Sequence, residues 1–406
     1  MANSSATRNT CASGIASPST ARMWAAAWMV TAVFMLSNSP TPLYVHWQEQ
    51  LGFSSGMLTV IFALYIAGLL GTLLVAGQLS DHYGRKPILL PGLIAALLSC
   101  GLFAYATSIG MLAVGRLLTG VAVGVIVSAG MAAVVDASAV EHRRRAALIA
   151  SIAMVLGAGL GPLLAGGLGQ ILAQPVQPIF AVEALILLSA LVVVLRLPVR
   201  HTPAARPLRL RLPHVPAANR RHVLCGIATF GPGITATSFV LSLGPSLLIR
   251  LLDVRSPLLI GGMACAMFFT AVGAQFALRQ WPVTRIFAAS AIVTILSMAT
   301  LALTIHFSLV SALIASALFA GAGQGLGQLG GLTLIGLHVP DSHRAQSNAV
   351  LSIGGYLPAA LLPVATGYLI DAVGLASGAT LFAIVLAVIA LAGGLWATRQ
   401  TAGIGD

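Results

Sequence analysis

Gly77-Gln78-Leu79-Ser80-Asp81-His82-Tyr83-Gly84-Arg85-Lys86-Pro87 is a polar segment set between two apolar runs, 56–77 and 88–107. Each run has the length of about 20 residues that an α-helix needs to cross the hydrocarbon core of a bilayer. The segment therefore reads as the connection between two spans. Gly77 lets a neighbouring helix approach closely, Gly84 permits a tight turn, and Pro87 opens the following helix. Asp81 can sit at a helix N-terminus, where the dipole favours an anion. A loop whose only task is to hold positive charge accounts for Arg85 and Lys86, but not for the glycine and aspartate spacing.

The same period repeats outward in both directions. The chain has 406 residues, of which 58% are apolar and 7% charged, against about 25% charged in a soluble protein. Further apolar runs fall at 24–45, 110–134, 147–171, 179–197, 223–250, 257–278, 286–305, 308–337, 348–370 and 376–397. The expected fold class is an all-α membrane protein of twelve transmembrane helices. The longest polar stretch, 198–222, carries proline, histidine and arginine but no acid. It reads as a linker between six-helix bundles at 23–197 and 223–397, with tails at 1–22 and 398–406. The first tail has no apolar core before a cleavage site, so the first span is expected to double as an uncleaved insertion signal.

The net charge of +12 does not mark a nucleic-acid partner. Lys86 is the one lysine, and the arginines lie between apolar runs without an aromatic-interleaved basic face. With both termini placed in the cytoplasm, Arg250 and Arg255 fall outside, Arg116 falls within a span, and every other basic residue falls inside. That asymmetry is the positive-inside pattern and requires an even number of crossings. The expected location is a bacterial inner membrane, with the lipid bilayer as the first partner and the chain a monomer.

The halves resemble each other. Gly120, Gly124, Arg143, Pro162 and Gly166 recur as Gly321, Gly325, Arg344, Pro363 and Gly367, each 201 residues on. Phe34 to Thr41 parallels Phe239 to Ser246. Parallel repeats around a midplane site are a transporter signature.

The opening segment matches G-x-L-x-D-x-x-G-R-K at every fixed position and so resembles the first signature of the major facilitator superfamily. That resemblance implies two pseudo-symmetric six-helix bundles and transport by alternating access. It assigns the gate to Gly77, Asp81, Gly84, Arg85 and Lys86, which latch the halves in the outward-facing state. Asp136, at the end of the fourth span, is expected to pair with Arg85. The equivalent loop in the second half, Arg279 to Arg285, has lost the acid and the turn glycine.

Arg116, two turns into the fourth span, is similar to the arginine of the family's second motif, which is tied to proton coupling. Buried charge in a bilayer is costly and usually faces a cavity or partner; the alternative is an arginine snorkelling to the headgroups. Ala317 stands at its repeat position. Glu183 is the carboxylate clearly inside a span and the second coupling candidate, a structural role being the alternative. The fifth span carries Gly157, Gly161, Pro162, Gly166 and Gly167, which resemble the motif of exporting members. Here Ala165 displaces the last pair by one, and Leu148 stands where a glycine belongs. Small residues there are expected to pack closely against the other half.

In this family the first, fourth, seventh and tenth helices line the cavity. They supply the candidate substrate contacts Asn38, Arg116, Thr235, Gln324 and Gln328; Tyr356 of the eleventh is added. Gln324 and Gln328 are four apart and share a helix face; stitching neighbouring helices is their alternative task. Asp253 and Asp371 are expected at the outer rim, solvated. Without an acid in the first span, the cavity favours neutral or anionic amphipathic substrates over lipophilic cations.

The expected activity is proton-coupled efflux of a small amphipathic molecule or drug, with import or uniport of a small metabolite as the alternative. No enzyme is expected. The nine histidines are scattered over loops and rims, the cysteines Cys11, Cys100, Cys225 and Cys265 are isolated, and no HExxH or Walker motif occurs, so neither a metal nor any other cofactor is expected.

Overall fold

The computed structural model describes residues 20–197 and 213–402. The first 19 residues, residues 198–212 of the linker and residues 403–406 lie outside the described residues, and with them Arg8, Arg200, Arg206, Arg209 and Arg211 of the charge pattern.

Among the described residues every regular element is helical. The first expected span is not one helix. α1 (Thr20–Asn38) ends at Pro40 and Pro42, a short 3-10 turn covers Thr41–Leu43, and α2 (Tyr44–Leu51) follows. Proline has no N–H and clashes with the preceding turn. The two prolines therefore leave the Leu36 and Asn38 carbonyls without their helical donors.

The helices that follow are α3 (Ser55–Tyr83), α4 (Arg85–Ala104), α5 (Ile109–Val125), α6 (Met131–Asp136), α7 (Arg143–Ile171) and α8 (Val176–Arg196). The second half holds α9 (Arg220–Ser246), α10 (Pro257–Leu278), α11 (Val283–Phe307), α12 (Val310–His338), α13 (Asp341–Val373) and α14 (Leu375–Thr401). A π turn at Ile126–Gly130 joins α5 to α6 in one continuous rod. Eleven of these rods are long and apolar enough to cross a membrane. α1, at 19 residues, is not among them because its apolar run is split by the prolines.

Several helices overshoot the runs read from sequence. α13 has 33 residues, about 50 Å at the α-helical rise, against a hydrocarbon thickness of about 30 Å. Hydropathy marks the segment that meets lipid, but the helix continues until something breaks it. For the same reason Gln78 to Tyr83 are helical, not loop, and Asp81 lies in the last turn of α3, the wrong end for the dipole contact expected of it. The break comes at Gly84, whose φ of 90° is a conformation that costs other residues energy.

Short turns join successive helices within 20–197 and again within 220–402, so the helices alternate in direction in each stretch, and Asp371 at the end of α13 meets Ser55 at the start of α3. Arg85, Lys86, Arg143 to Arg145 and Arg344 therefore gather at one end of the molecule, here called the basic end. Serines start several helices at the opposite end: the hydroxyl oxygens of Ser54, Ser108 and Ser256 accept from Met57, Met111 and Leu259 N–H groups at 3.2, 3.3 and 3.2 Å.

Packing rests on matched glycines. A Cβ at Gly120 would overlap the Tyr65 carbonyl of α3, and one at Gly321 the Met267 carbonyl of α10. Gly124 and Gly325 repeat the contact a turn later, against Thr72 and the Ala271 carbonyl. The glycines that the sequence pairs at a spacing of 201 thus seat equivalent helices in each half. Leucine and valine side chains such as Leu185 and Val388 stay exposed on the outer faces of α8 and α14. With eleven apolar rods, this describes a multi-pass membrane protein.

Candidate functional site

Two charged side chains that the sequence places in different helices converge on the break after α1. Arg116 of α5 is fully buried, which removes the snorkelling alternative. Its Nη1 donates to the Ser37 carbonyl oxygen at 2.7 Å. Its Cζ lies 4.9 Å from the Tyr44 ring centroid and 5.8 Å from those of Phe62 and Phe103, within cation–π range. Nε and Nη2 meet no hydrogen-bond acceptor. Glu183 of α8 is likewise fully buried, its Oε1 2.5 Å from Ser39 Oγ and its Oε2 without a partner. Ser39 Oγ also lies 2.8 Å from the Met35 carbonyl.

Ser37 and Ser39 flank Asn38, whose Nδ2 donates to Ser37 Oγ at 2.9 Å. Trp47 of α2 stacks on Phe103 and Phe180, with centroids 5.9 and 6.1 Å away. This aromatic wall keeps water from the charges. Thr41, Tyr44 and Gln48, one helical turn apart, add further buried polar atoms without partners. The proline break was legible in the sequence, but Ser37, Ser39, Tyr44 and Trp47 were not singled out there. Their one signal is nearness in sequence to Asn38.

At the basic end, Arg85 Nε lies 3.1 Å from Asp136 Oδ2, and its Nη1 lies 2.7 Å from Asp81 Oδ1 and from Ser80 Oγ. Lys86 Nζ donates to the carbonyls of Leu195 and Leu197 at 2.6 and 3.3 Å. These charges are all spent within the first half, and the Asp81 side chain is 72% exposed. Gly77 does not serve the close approach expected of it: a Cβ there would meet nothing within 4 Å.

The export-like glycines of α7 divide between two partners. Gly157 and Gly161 are seated on the Thr31 and Met35 carbonyls of α1, within their own half, and Gly166 on the Pro257 carbonyl of α10 in the other half. Pro162 contributes its carbonyl, against which Gly261 of α10 packs. Gly167 faces open space, so packing against the other half falls to Gly166 alone among the expected glycines. Gly161→Ala is expected to lower the melting temperature in detergent, because overpacking against a backbone carbonyl costs about 1–3 kcal/mol. Gly167→Ala should melt with the wild type, and equal melting of all three proteins would refute this seating of α7.

The remaining substrate candidates do not form one cluster. Thr235 is fully buried and donates to the Gly231 carbonyl of its own helix at 2.7 Å, so it lines no open space here. Gln328 Oε1 accepts from Gln275 Nε2 of α10 at 3.4 Å, the stitching role. Gln324 keeps a buried Oε1 without a partner. Tyr356 stands edge-on to Phe230, 6.1 Å between centroids.

The profile of the Major Facilitator Superfamily matches residues 24–310. Multidrug resistance protein MdtL of Klebsiella pneumoniae (strain 342) is 31% identical over 101 residues, 25% of this chain and 25% of that protein. The class H tetracycline resistance protein of Pasteurella multocida is 34% identical over 108 residues, 26% of each chain. These matches span about a quarter of the relatives' length. Among solved structures, the inward-facing, unoccupied bacterial homologue of the human lysosomal transporter Spinster superposes with a TM-score of 0.72 at 12% identity, over 94% of this chain and 96% of that one. A POT family transporter bound to a thioalcohol-conjugated peptide superposes with a TM-score of 0.74 at 14% identity, over 92% and 94%. At such identities the likeness is one of fold.

Proposed function

This chain belongs to the major facilitator superfamily, and from that premise we propose that it exports a small amphipathic molecule or drug across a bacterial inner membrane in exchange for protons. The observation that carries this reading is the pair of buried charges, Arg116 and Glu183, which meet Ser37 and Ser39, two residues apart at the break after α1. A carboxyl and a guanidinium sealed from water are expensive to keep in a bilayer and mark ion and substrate pathways. Here they meet the chain where it is least constrained, at the prolines.

In this reading α1 and α2 together form the twelfth crossing. Residues 23–197 and 223–397 form two six-helix bundles that rock about a midplane site. The positive-inside rule puts the basic end, and both termini, in the cytoplasm. Asp81 is then exposed to the cytoplasm and the structure is inward-facing. Asp81, Arg85 and Asp136 are the gate that closes this end. Asn38 and Gln324, which keep polar atoms near the break and beside α9, are the contacts best placed for substrate. Efflux, not import, is supported by the glycines of α7 and by the names of the partial relatives. Gly167 faces no neighbour, and Gly157 and Gly161 pack on α1 of their own half, so the contact of this motif with the other half rests on Gly166 and Pro162.

In proteoliposomes with the basic end outward, tetracycline is expected to accumulate when the lumen is acidified, and to discharge the pH gradient as it enters. An uncoupler should abolish both signals. Accumulation that ignores the uncoupler would refute proton exchange, and absence of counterflow exchange with every probe would refute a carrier.

A further inference from the structure

We propose that Asp371 is the latch that holds the molecule shut at the end opposite the basic loops. The carboxylate of Asp371, near the end of α13, accepts from Ser55 N–H at 2.9 Å and Gly56 N–H at 2.8 Å. These are the first two residues of α3. The first N–H groups of a helix have no intrahelical acceptor, and the helix dipole adds to their attraction for an anion. Behind this contact the two helices are keyed together. A Cβ at Gly367 would overlap Thr59 Oγ1 and press on the Ser55 carbonyl, and one at Gly56 would press into the Tyr368 ring. Asp371 does lie at the rim, as the sequence indicated, but its carboxylate is committed to protein and not to solvent alone.

The repeat spacing of 201 residues gives this contact a second copy. It carries Ser55 to Ser256, Asp371 back to Gln170, and Gly367 back to Gly166. In the structure Ser256 Oγ donates to Gln170 Oε1 at 3.1 Å, and Gly166 is seated on the Pro257 carbonyl. One seam joins α3 to α13 and the other α10 to α7, built on equivalent positions. Only the α3–α13 copy is charged, so the strength of the closure rests on Asp371.

The same helix pair has an acid at its other end. Asp81 lies in the last turn of α3, as Asp371 lies in the last turn of α13, and the two helices run antiparallel. Each acid can address the start of the opposite helix only when its own end is closed. Here Asp371 accepts from the start of α3, whereas Asp81 pairs with Arg85 beside it, which is one position of a two-position rocker.

This inference rests on the alternating-access reading, but not on the direction of transport or on the coupling ion. It is tested on the full chain in lipid nanodiscs, with the native cysteines replaced. Spin labels go on exposed Gln50 and Ser377 at the latched end, or on exposed Glu141 and Ala345 at the basic end. Asp371→Asn is expected to move the closed-to-open ratio at the latched end by about tenfold or more, the scale of losing a charge-assisted hydrogen bond. The label distance should shorten at the basic end in the same protein, and Gln170→Ala should shift both less. An unchanged Gln50–Ser377 distance in both Asp371→Asn and Asp371→Ala overturns the latch. Lengthening at both ends together also overturns it, in favour of a fold-maintaining role. If distances at both ends stay fixed in Asp81→Asn as well, whatever the pH, the alternating-access reading falls too.

Discussion

Glu183→Gln is expected to yield a folded protein that still exchanges substrate by counterflow but carries no proton-driven transport above empty vesicles. The reason is a count of protons. A serine hydroxyl has one proton to donate, yet Ser39 Oγ lies 2.8 Å from the Met35 carbonyl and 2.5 Å from Glu183 Oε1. When the carboxyl carries its proton, it donates to Ser39, and Ser39 donates to Met35. When the carboxyl is ionised, Ser39 must turn its proton toward it, and the Met35 carbonyl loses that bond. The protonation state of Glu183 is thereby written into the last turn of α1, next to a break that two prolines have already weakened. Glutamine can donate to Ser39 but cannot release a proton, so it holds the first of these arrangements permanently. Substrate-induced alkalinisation or acidification of the lumen would be followed with a pH-sensitive dye, and counterflow with a labelled substrate. Proton-driven transport at the wild-type rate in Glu183→Gln would return Glu183 to a structural role.

Much of this arrangement was legible because it is written in period and cost. Twenty-residue apolar runs, the basic residues between them and the 201-residue repeat are local or strictly periodic signals. Arg116 announced itself as a charge within an apolar run, with Ala317 at its repeat position. The break after Asn38 was visible in two prolines. What was not legible is contact between helices. Ser39 and Glu183 are 144 residues apart and Ser55 and Asp371 are 316 apart, and nothing local to any of the four marks the pairing. Asp371 sits at the end of an apolar run, where an acid reads as solvated. The motif glycines fail for a different reason. Spacing reports that a neighbour approaches Gly77 or Gly167 at some stage, whereas a structure shows one arrangement, and here both face open space. The unequal treatment of Asp81 and Asp371 in the sequence follows from the same limit: a motif names the first, and only geometry relates it to the second.

Arg116→Met is expected to abolish transport without lowering the melting temperature, and to raise it if the balance favours methionine. In wild type the guanidinium is sealed from water, with no acid among the described residues within ion-pair distance and two nitrogens without acceptors. Holding an ion in such a place costs several kcal/mol, and apolar replacements of buried ions are often neutral or stabilising by about 1–4 kcal/mol. Against this stand the Ser37 carbonyl, whose charge-assisted bond is worth about 1.5–3 kcal/mol, and the aromatic faces of Tyr44, Phe62 and Phe103, which add about 0.5–2 kcal/mol. These terms nearly cancel, so stability alone gives no reason to place a cation there. We propose that the charge serves the cycle, in a state where Nε and Nη2, which have no acceptor here, meet substrate, water or a carboxylate. Arg116→Lys tests the same point from the other side. It keeps the charge but loses the fixed fork of donors, so partial transport is expected from it and none from methionine. Full transport in Arg116→Met would show that the charge plays no part in the cycle. A large drop in melting temperature with methionine would show instead that the arginine holds α1, α2 and α5 together, and that its charge serves the fold.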